Sequence, residues 1–440
     1  MKSAFTGILN RNLLLLIQGH FINKLGTALF DVALVLWLKQ QTGIASIIGI
    51  ILMLSNLPEI LLSPFSGTIV DMVPRKKVLI ISNLIVGLII IAISTIICLC
   101  PQKPILTLSM VITGSIVIGI CTSFFNPATS SFIPELVEKE KLQMANSVYQ
   151  FSSNGATFAG QCLAGVLFTL LGAPVLFIIN GASYIISALF ESRIFKPADR
   201  GISISRNSVG FKSVITGFEE GYSYIWSRTQ LKRLLFMLCL YHFFISPFTV
   251  ILPFYTSDYL KIGQAWYGYI LSFFGLGLLS GFISCGFLKF SEKKQQILII
   301  ICLLISSTGY LLLGLSRNVF ITSITVLLIG AAIAVIVVNF NTIIQISTPG
   351  TMHGRIFGLY NTLSTASIPV GMGFFGIFLD FLRTNTNDGS KGSAMIFIFC
   401  GSVLCLINCY FIIKHLKGDS LLHFVVCKDN PVVQTDKFTK

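Results

Sequence analysis

Long apolar stretches recur along the whole chain and alternate with short polar connections. Each stretch has roughly 21 to 30 residues, and a helix of that length, rising about 1.5 Å per residue, crosses a hydrocarbon layer of about 30 Å. No run shows the pattern of a sheet or of a soluble catalytic domain. The pattern therefore predicts an all-α membrane protein with twelve transmembrane helices. Their approximate bounds are 13–38, 44–70, 78–100, 104–126, 142–171, 174–195, 231–257, 265–290, 295–315, 319–346, 355–382 and 393–414.

The long polar stretch at about residues 196–230 divides these segments into two groups of six. Apolar residues in it recur at helical spacing, which predicts an amphipathic helix on the membrane surface. They are Phe211, Val214, Phe218, Tyr222 and Ile225. A regulatory domain is the alternative, but the stretch is too short for one. We therefore expect a first bundle at 1–195, a linker at 196–230, a second bundle at 231–415 and a polar tail at 416–440.

The two groups of six share a set of matched positions, which indicates a duplicated unit. Phe125-Asn126, Pro134 and Asn146 in the first group recur as Phe340-Asn341, Pro349 and Asn361 in the second, displaced by 215 residues throughout. Because the matched residues stand at the same topological places, we expect two six-helix bundles related by pseudo-symmetry.

Charge decides the orientation. The chain is 54% hydrophobic and only 11% charged, which excludes a soluble domain of this size. Its net charge of +14 suggests nucleic-acid binding at first sight. However, when loops alternate from a cytoplasmic N-terminus, 24 of the 31 Lys and Arg residues lie inside, as the positive-inside rule requires. We therefore predict cytoplasmic N- and C-termini, contact with the lipid bilayer and no nucleic-acid partner.

The sequence offers no support for catalysis or metal binding. Ten of the eleven cysteines sit in or beside apolar runs, without the spacing of a metal site. The chain has no nucleotide-binding loop, which excludes an ATP-driven pump. We therefore expect neither an enzyme nor a metal or cofactor site.

Polar side chains inside the predicted helices are the functional candidates, because such groups are costly in a membrane. Several share a helical face, at spacings of three, four or seven residues. They are His20, Lys24 and Asp31 in segment 1, Asn56 and Glu59 in segment 2, Gln150, Asn154 and Gln161 in segment 5, and His242 in segment 7.

Helix rise places Lys24 and Glu59 at nearly the same depth on adjacent segments, roughly 17 to 18 Å from the cytoplasmic ends. This predicts a Lys24–Glu59 ion pair near mid-membrane, with Asp31 further out; a pair between Lys24 and Asp31 stays open. Protonation of such an acid would break the pair and change the conformation, which is proton coupling. The alternative is a static pair that only keeps the cavity wet. His20 and His242 are more typical of satisfied polar residues than of proton relays.

The turn after segment 2 has a glycine, an aspartate four residues later, and then cations: Gly67, Asp71, Arg75 and Lys76. This spacing resembles the loop between helices 2 and 3 of the major facilitator superfamily (MFS). The alternative is an ordinary turn whose basic residues only fix topology. The resemblance implies twelve helices in two bundles that work by alternating access. It also implies a conformational lock, in which Asp71 pairs with Arg75 or caps the eleventh helix near Arg355 when the cytoplasmic side closes.

Further passages resemble the macrolide-efflux and enterobactin-exporter branch of the drug–proton antiporters. They are Leu57-Pro58, Asn126-Pro127-Ala128, Gly354-Arg355 and the Gly376-x-x-x-Asp380 end of segment 11. Two departures stand out: Gln161 replaces the proline of the family's antiporter signature, and segment 4 lacks an intramembrane arginine.

The branch resemblance implies export of a small amphipathic organic substrate, such as a drug, macrolide or siderophore, by proton antiport. It implies a monomer in the cell (inner or plasma) membrane of a bacterium, with the proton gradient in place of a cofactor. An importer, a lysophospholipid or siderophore transporter, and a non-transporting sensor or scaffold on the same fold are the alternatives.

Overall fold

The computed structural model describes residues 10–138, 141–195, 222–287, 292–347, 353–385 and 389–416. These residues are helical almost throughout, which confirms the all-α prediction. The helices are α1 (Arg11–Thr42), α2 (Ala45–Met72), α3 (Arg75–Leu99), α4 (Pro104–Leu136), α5 and α6 (within Leu142–Ser192), α7 (Thr229–Ile245, Pro247–Phe254 and the π-helical Tyr255–Tyr259), α8 (Ala265–Phe287), α9 (Glu292–Leu315), α10 (Val319–Ser347), α11 (His353–Asn385) and α12 (Gly392–Leu416).

Most of the predicted amphipathic linker helix lies outside the described residues, as does the tail after residue 416. Within the described part of the linker, residues 222–227 are helical. Ile225 there is buried against the start of α7.

A break at Gly172 divides the long helix Leu142–Ser192 into α5 (142–171) and α6 (173–192). Gly172 has φ 77° and ψ 170°, a conformation that suits glycine. The two parts fold back along α1, since Gly160 of α5 packs against Leu25 while Ser183 of α6 packs against Gly26. Eleven helices in the described residues are long and apolar enough to span a membrane, with residues 144–192 counted as one. That one contains two of the predicted segments.

The helices form two groups that meet along two seams. In the first group α1 packs along α5 and α6, α2 on α4, and α3 on α6. In the second group α8 packs on α10, α9 on α12, and α7 on α11. Between the groups, α2 packs on α11 and α5 on α8. We call α1–α6 the first half and α7–α12 the second half.

Among the described residues, the apolar core joins the halves at one end. Where α1 ends and α2 begins, Leu38 and Ile48 share a buried cluster with Phe254 and Phe375 of the second half. Toward the opposite end, the buried clusters are separate: one comes from the first half alone and the other from the second half and the segment preceding it. We call these the closed end and the open end.

Candidate functional site

A cluster of charges holds the two halves together at the closed end. The ammonium group of Lys39, in the last turn of α1, donates to the Pro253 carbonyl at 2.5 Å and to the Ser257 hydroxyl on α7. It also lies 3.7 Å from the Asp258 carboxylate. Arg383 of α11 donates to the same carboxylate at 3.3 Å and to the Gly43 carbonyl at 2.8 Å. We call Lys39, Asp258 and Arg383 the gate cluster.

Asp380 adds a second link between the halves at this end. Its carboxylate accepts the backbone N–H groups of Ala45 at 2.9 Å and Ser46 at 2.7 Å, the first two residues of α2. These N–H groups have no partner inside their own helix, and the helix dipole is positive there. Asp380 of the second half therefore caps a helix of the first half.

The sequence does not predict the gate cluster, because Lys39 and Arg383 directly follow the ends of predicted segments 1 and 11, where charged residues ordinarily face water. A signal for the neighbouring Asp380 cap is present in the sequence, since Gly376-x-x-x-Asp380 repeats the spacing of Gly67-x-x-x-Asp71 at the end of another helix.

Toward the open end, polar side chains of α5 are exposed between the halves. Gln161 reaches α8, where its Oε1 lies 3.3 Å from the position that a Cβ would take at Gly275. Asn154 and Gln150 lie on the same face of α5, about two and three turns from Gln161, and both are exposed. Phe151 beside them is 78% exposed. The seam between α5 and α8 therefore opens into a space with polar and aromatic walls.

Glu59 of α2 is half-buried and accepts a hydrogen bond from the Asn126 amide of α4 at 2.8 Å. Among the described contacts it has no ion pair with Lys24, so the structure does not form the predicted pair. Asn56, one turn earlier, is exposed and donates to the Leu52 carbonyl of its own helix at 2.8 Å. The α2 acid and amide are thus placed on one helix face, as predicted, but the partner of Glu59 is a neutral amide.

Lys24 lines a small cavity inside the first half, between α1, α3, α4 and α6. Asn126, Asn83 and Tyr184 line it as well, and about 40 Å³ is open to the centres of water molecules. Asn126 therefore stands between Lys24 and Glu59, facing the cavity and holding the acid. We call this space the first-half cavity.

Asp31 is exposed and lies on the face of α1 that carries Lys24. It is close enough to interact electrostatically with Lys24, with Tyr184 of α6 and with Tyr267 of α8. Because α8 belongs to the second half, Asp31 faces the space between the halves.

The two histidines are in different halves. His20 is buried, its Nε2 lies 2.9 Å from the Tyr149 hydroxyl, and its ring stacks on Tyr149 with centroids 4.5 Å apart. This geometry favours a structural role. His242 is half-buried on α7, with its ring centroid 6.5 Å from that of Tyr241.

The basic turn between α2 and α3 binds the rest of the first half at the open end. Arg75 donates to the Glu135 carboxylate of α4 at 2.6 Å. Lys76 donates to two carbonyl groups at the end of α6, at 2.7 and 2.8 Å. The surroundings of the remaining lock residues lie outside the described part of the structure: these residues are Gly67, Asp71 and Arg355.

A buried carboxyl group was missed. Glu191, in the last turn of α6, is 1% exposed and accepts hydrogen bonds from Asn83 of α3. The signal that could have found it is the helical spacing of Asn180, Ser183, Ser187 and Glu191, which forms a polar face on the sixth predicted segment.

The Major Facilitator Superfamily model matches residues 16–372. An uncharacterised MFS-type transporter of Bacillus subtilis (strain 168), YfiS, is 23% identical over 96% of this chain and 98% of its own length. Macrolide efflux protein A of Streptococcus pyogenes is 22% identical over 89% of this chain and 94% of its own. The multidrug efflux pump Tap of Mycolicibacterium fortuitum is 23% identical over 59% and 63% of the two chains.

Solved structures share the fold. The nucleoside transporter NupG has a TM-score of 0.72 at 10% identity, covering 92% of this chain and 99% of its own. A bacterial homologue of the iron transporter ferroportin, in an inward-facing state, has a TM-score of 0.70 at 15% identity, covering 91% and 98%. Helix arrangement, seams and family match agree: this chain belongs to the Major Facilitator Superfamily.

Proposed function

We propose that this protein exports an amphipathic organic compound by alternating access, in exchange for protons, across the cell membrane of a bacterium. In this proposal twelve helices cross the bilayer and both termini are cytoplasmic, so the open end faces the cytoplasm. The protein acts as a monomer and uses the proton gradient instead of a cofactor.

The asymmetry between the two ends carries the proposal. At the closed end, the gate cluster, the Asp380 cap and a shared apolar core join the halves. Toward the open end the described residues of the two halves form separate cores and expose polar side chains. One closed gate and one open gate around a central space is the arrangement that alternating access requires.

The walls of the open space support an amphipathic substrate. The ring of Phe151 can contact an apolar part of a molecule, while the amides of Gln150 and Asn154 can bind its polar groups. Relatives named for macrolide and multidrug efflux support export as the direction.

Two acids support proton coupling. Glu59 and Asp31 lie in the central region, and neither has an ion-pair partner within 4 Å among the described residues. An acid without a fixed cation can exchange a proton for a cationic group of the substrate, since protonation and cation binding compete for one carboxylate. Glu59 is the stronger candidate, because Asn126 donates a hydrogen bond to the acid and orients it.

The test measures proton release from the purified protein when cationic drugs, macrolides or siderophores are added. We expect release in the wild type and background release in Glu59→Gln, which keeps an oxygen to accept from Asn126. The matched control is Glu138→Gln, which removes an exposed acid that pairs with Lys141 at 2.8 Å. Its release should equal that of the wild type.

Three outcomes would contradict the proposal. Substrate binding without proton release in the wild type would exclude antiport. Equal release in wild type and Glu59→Gln would remove Glu59 from the coupling. Accumulation of the compound inside cells that express the protein would indicate an importer instead.

A further inference from the structure

Glu191 is a buried acid with neutral hydrogen-bond donors. The Asn83 amide donates to both carboxylate oxygens, at 2.9 and 3.0 Å, and the Ser187 hydroxyl lies 3.4 Å from one of them. Among the described residues no cation lies within 4 Å of this carboxylate. A carboxyl group is far less costly to remove from water when it carries a proton than when it is ionised.

Asn83 connects this acid to the first-half cavity. The side-chain carbonyl oxygen of Asn83 accepts from the Asn23 amide at 3.2 Å, so hydrogen bonds fix both the oxygen and the nitrogen of the Asn83 side chain. Asn23 and Asn83 line the cavity together with Lys24. The cavity volume of about 40 Å³ is large enough for one or more water molecules, since one water molecule needs about 10 to 15 Å³ of such volume. A single amide therefore separates Glu191 from water.

The titratable groups around Glu191 come from each packed helix. They are Lys76 on α3, His20 and Lys24 on α1, Tyr149 on α5, and Arg193 two residues after Glu191. Lys76 is held by two backbone carbonyl groups at the end of α6. His20 shares its Nε2 with the hydroxyl of Tyr149. Among the described contacts, none of these groups bonds to the Glu191 carboxylate, whose partners are the Asn83 amide and the Ser187 hydroxyl.

We infer that Glu191 is a second proton-binding site of this protein, separate from the central acids and reached from the first-half cavity through Asn83. The site holds a proton while Asn83 shields it. When water enters from the cavity, the O–H bond of the carboxyl breaks and the proton passes to a cavity water, leaving a carboxylate bonded to Asn83. Its place in coupling rests on the proposed function, but its proton binding does not.

The test is infrared spectroscopy of the purified protein, without substrate, across a range of pH. The C=O stretch of a protonated carboxyl is expected in the wild type and is lost as the pH rises. It should be missing in Glu191→Gln and unchanged in Glu138→Gln. A spectrum that Glu191→Gln leaves unchanged at every pH would overturn the inference, and so would a Glu191 band that persists at every pH at which the protein stays folded.

Asn83→Leu provides a second test in case Glu191→Gln does not fold. The amide N–H groups stabilise the ionised carboxylate, and their loss makes the acid hold its proton more tightly. We expect the band to disappear about one pH unit higher, a tenfold change in proton affinity. An unchanged pH of release in Asn83→Leu would contradict a role for this amide in the site.

The two proposals fail in different ways. If substrate never releases protons but the Glu191 band titrates as expected, the antiport proposal is wrong and the Glu191 site stands. If Glu59→Gln abolishes substrate-induced release while no band depends on Glu191, the antiport proposal stands and the Glu191 site is wrong.

Discussion

At the scale of single residues, Gly49 determines how closely the halves meet. It lies where α2 crosses α11, and a Cβ there would stand 2.4 Å from the Met372 carbonyl oxygen. Gly49→Ala must therefore push the two backbones apart at the closed end. Overpacking of this kind costs about 1 to 3 kcal/mol. We expect the population of the conformation in which the halves meet at this end to fall, relative to the alternative conformation, by roughly 5- to 150-fold.

Cross-linking across the closed end measures this population. The Gln40 amide donates to Gln264 at 2.9 Å between the halves, so a short bifunctional thiol reagent can join cysteines at these two positions only when this end is closed. The background lacks the exposed native cysteines. Gly155→Ala is the matched control, since nothing lies within 4 Å of a Cβ there. Equal cross-linking rates in Gly49→Ala and Gly155→Ala would show that the α2–α11 contact does not limit closure.

Residue pairing was only partly predictable from the sequence. Helix periodicity placed Asn56 and Glu59 on one face of α2, because this depends on local geometry alone. The partner of Glu59 depends on how α2 and α4 are rotated against each other, which is a property of packing. The sequence identifies Asn126 as part of a repeat, but it does not show that the Asn126 amide donates to Glu59. The Lys24–Glu59 prediction failed for this reason.

At the scale of helices, the Asp380 cap fixes the start of α2. Asp380→Ala leaves the N–H groups of Ala45 and Ser46 without this acceptor, and loss of an N-terminal cap costs about 1 kcal/mol. We expect about fivefold slower cross-linking between cysteines at Gln40 and Gln264, since the cap forms only when the halves meet. Asp380→Asn should have a smaller effect, because its amide oxygen can still accept. A faster reaction in Asp380→Ala would contradict the cap as a stabilising contact.

Helix positions were predicted well, and the reason is physical. Membrane thickness fixes the length of each apolar segment, so composition alone located the segments, including the change from one to the next near Gly172. The contacts of charged side chains near the helix ends were harder to predict. Lys39, Arg383 and Glu191 occur near ends, where charged residues ordinarily face water. Only the packing of neighbouring helices shows that Lys39 and Arg383 join the two halves and that Glu191 is buried.

At the scale of the whole molecule, α2 and α11 carry the same glycine–aspartate spacing near their ends. Asp380, near the end of α11, caps the start of α2 at the closed end. Asp71, at the end of α2, has the same spacing from its glycine, Gly67, as Asp380 has from Gly376. The family lock would bring Asp71 to the start of α11 when the open end closes. Two aspartates on one pair of helices would then stabilise opposite states.

The shared spacing of Asp71 and Asp380 from their glycines gives the last prediction. Asp71→Asn should accelerate cross-linking between cysteines at Gln40 and Gln264. The substitution weakens the alternative conformation, in which the halves separate near Gln40 and Gln264 and meet at the other end. Asp380→Asn should slow the cross-linking. Each contact is worth about 1 kcal/mol or less, so each rate should change by up to about fivefold. The double variant should return close to the wild-type rate, since the two effects act on one equilibrium in opposite directions. Shifts of the same sign in both single variants would exclude a paired lock and leave Asp380 as a cap for one gate only.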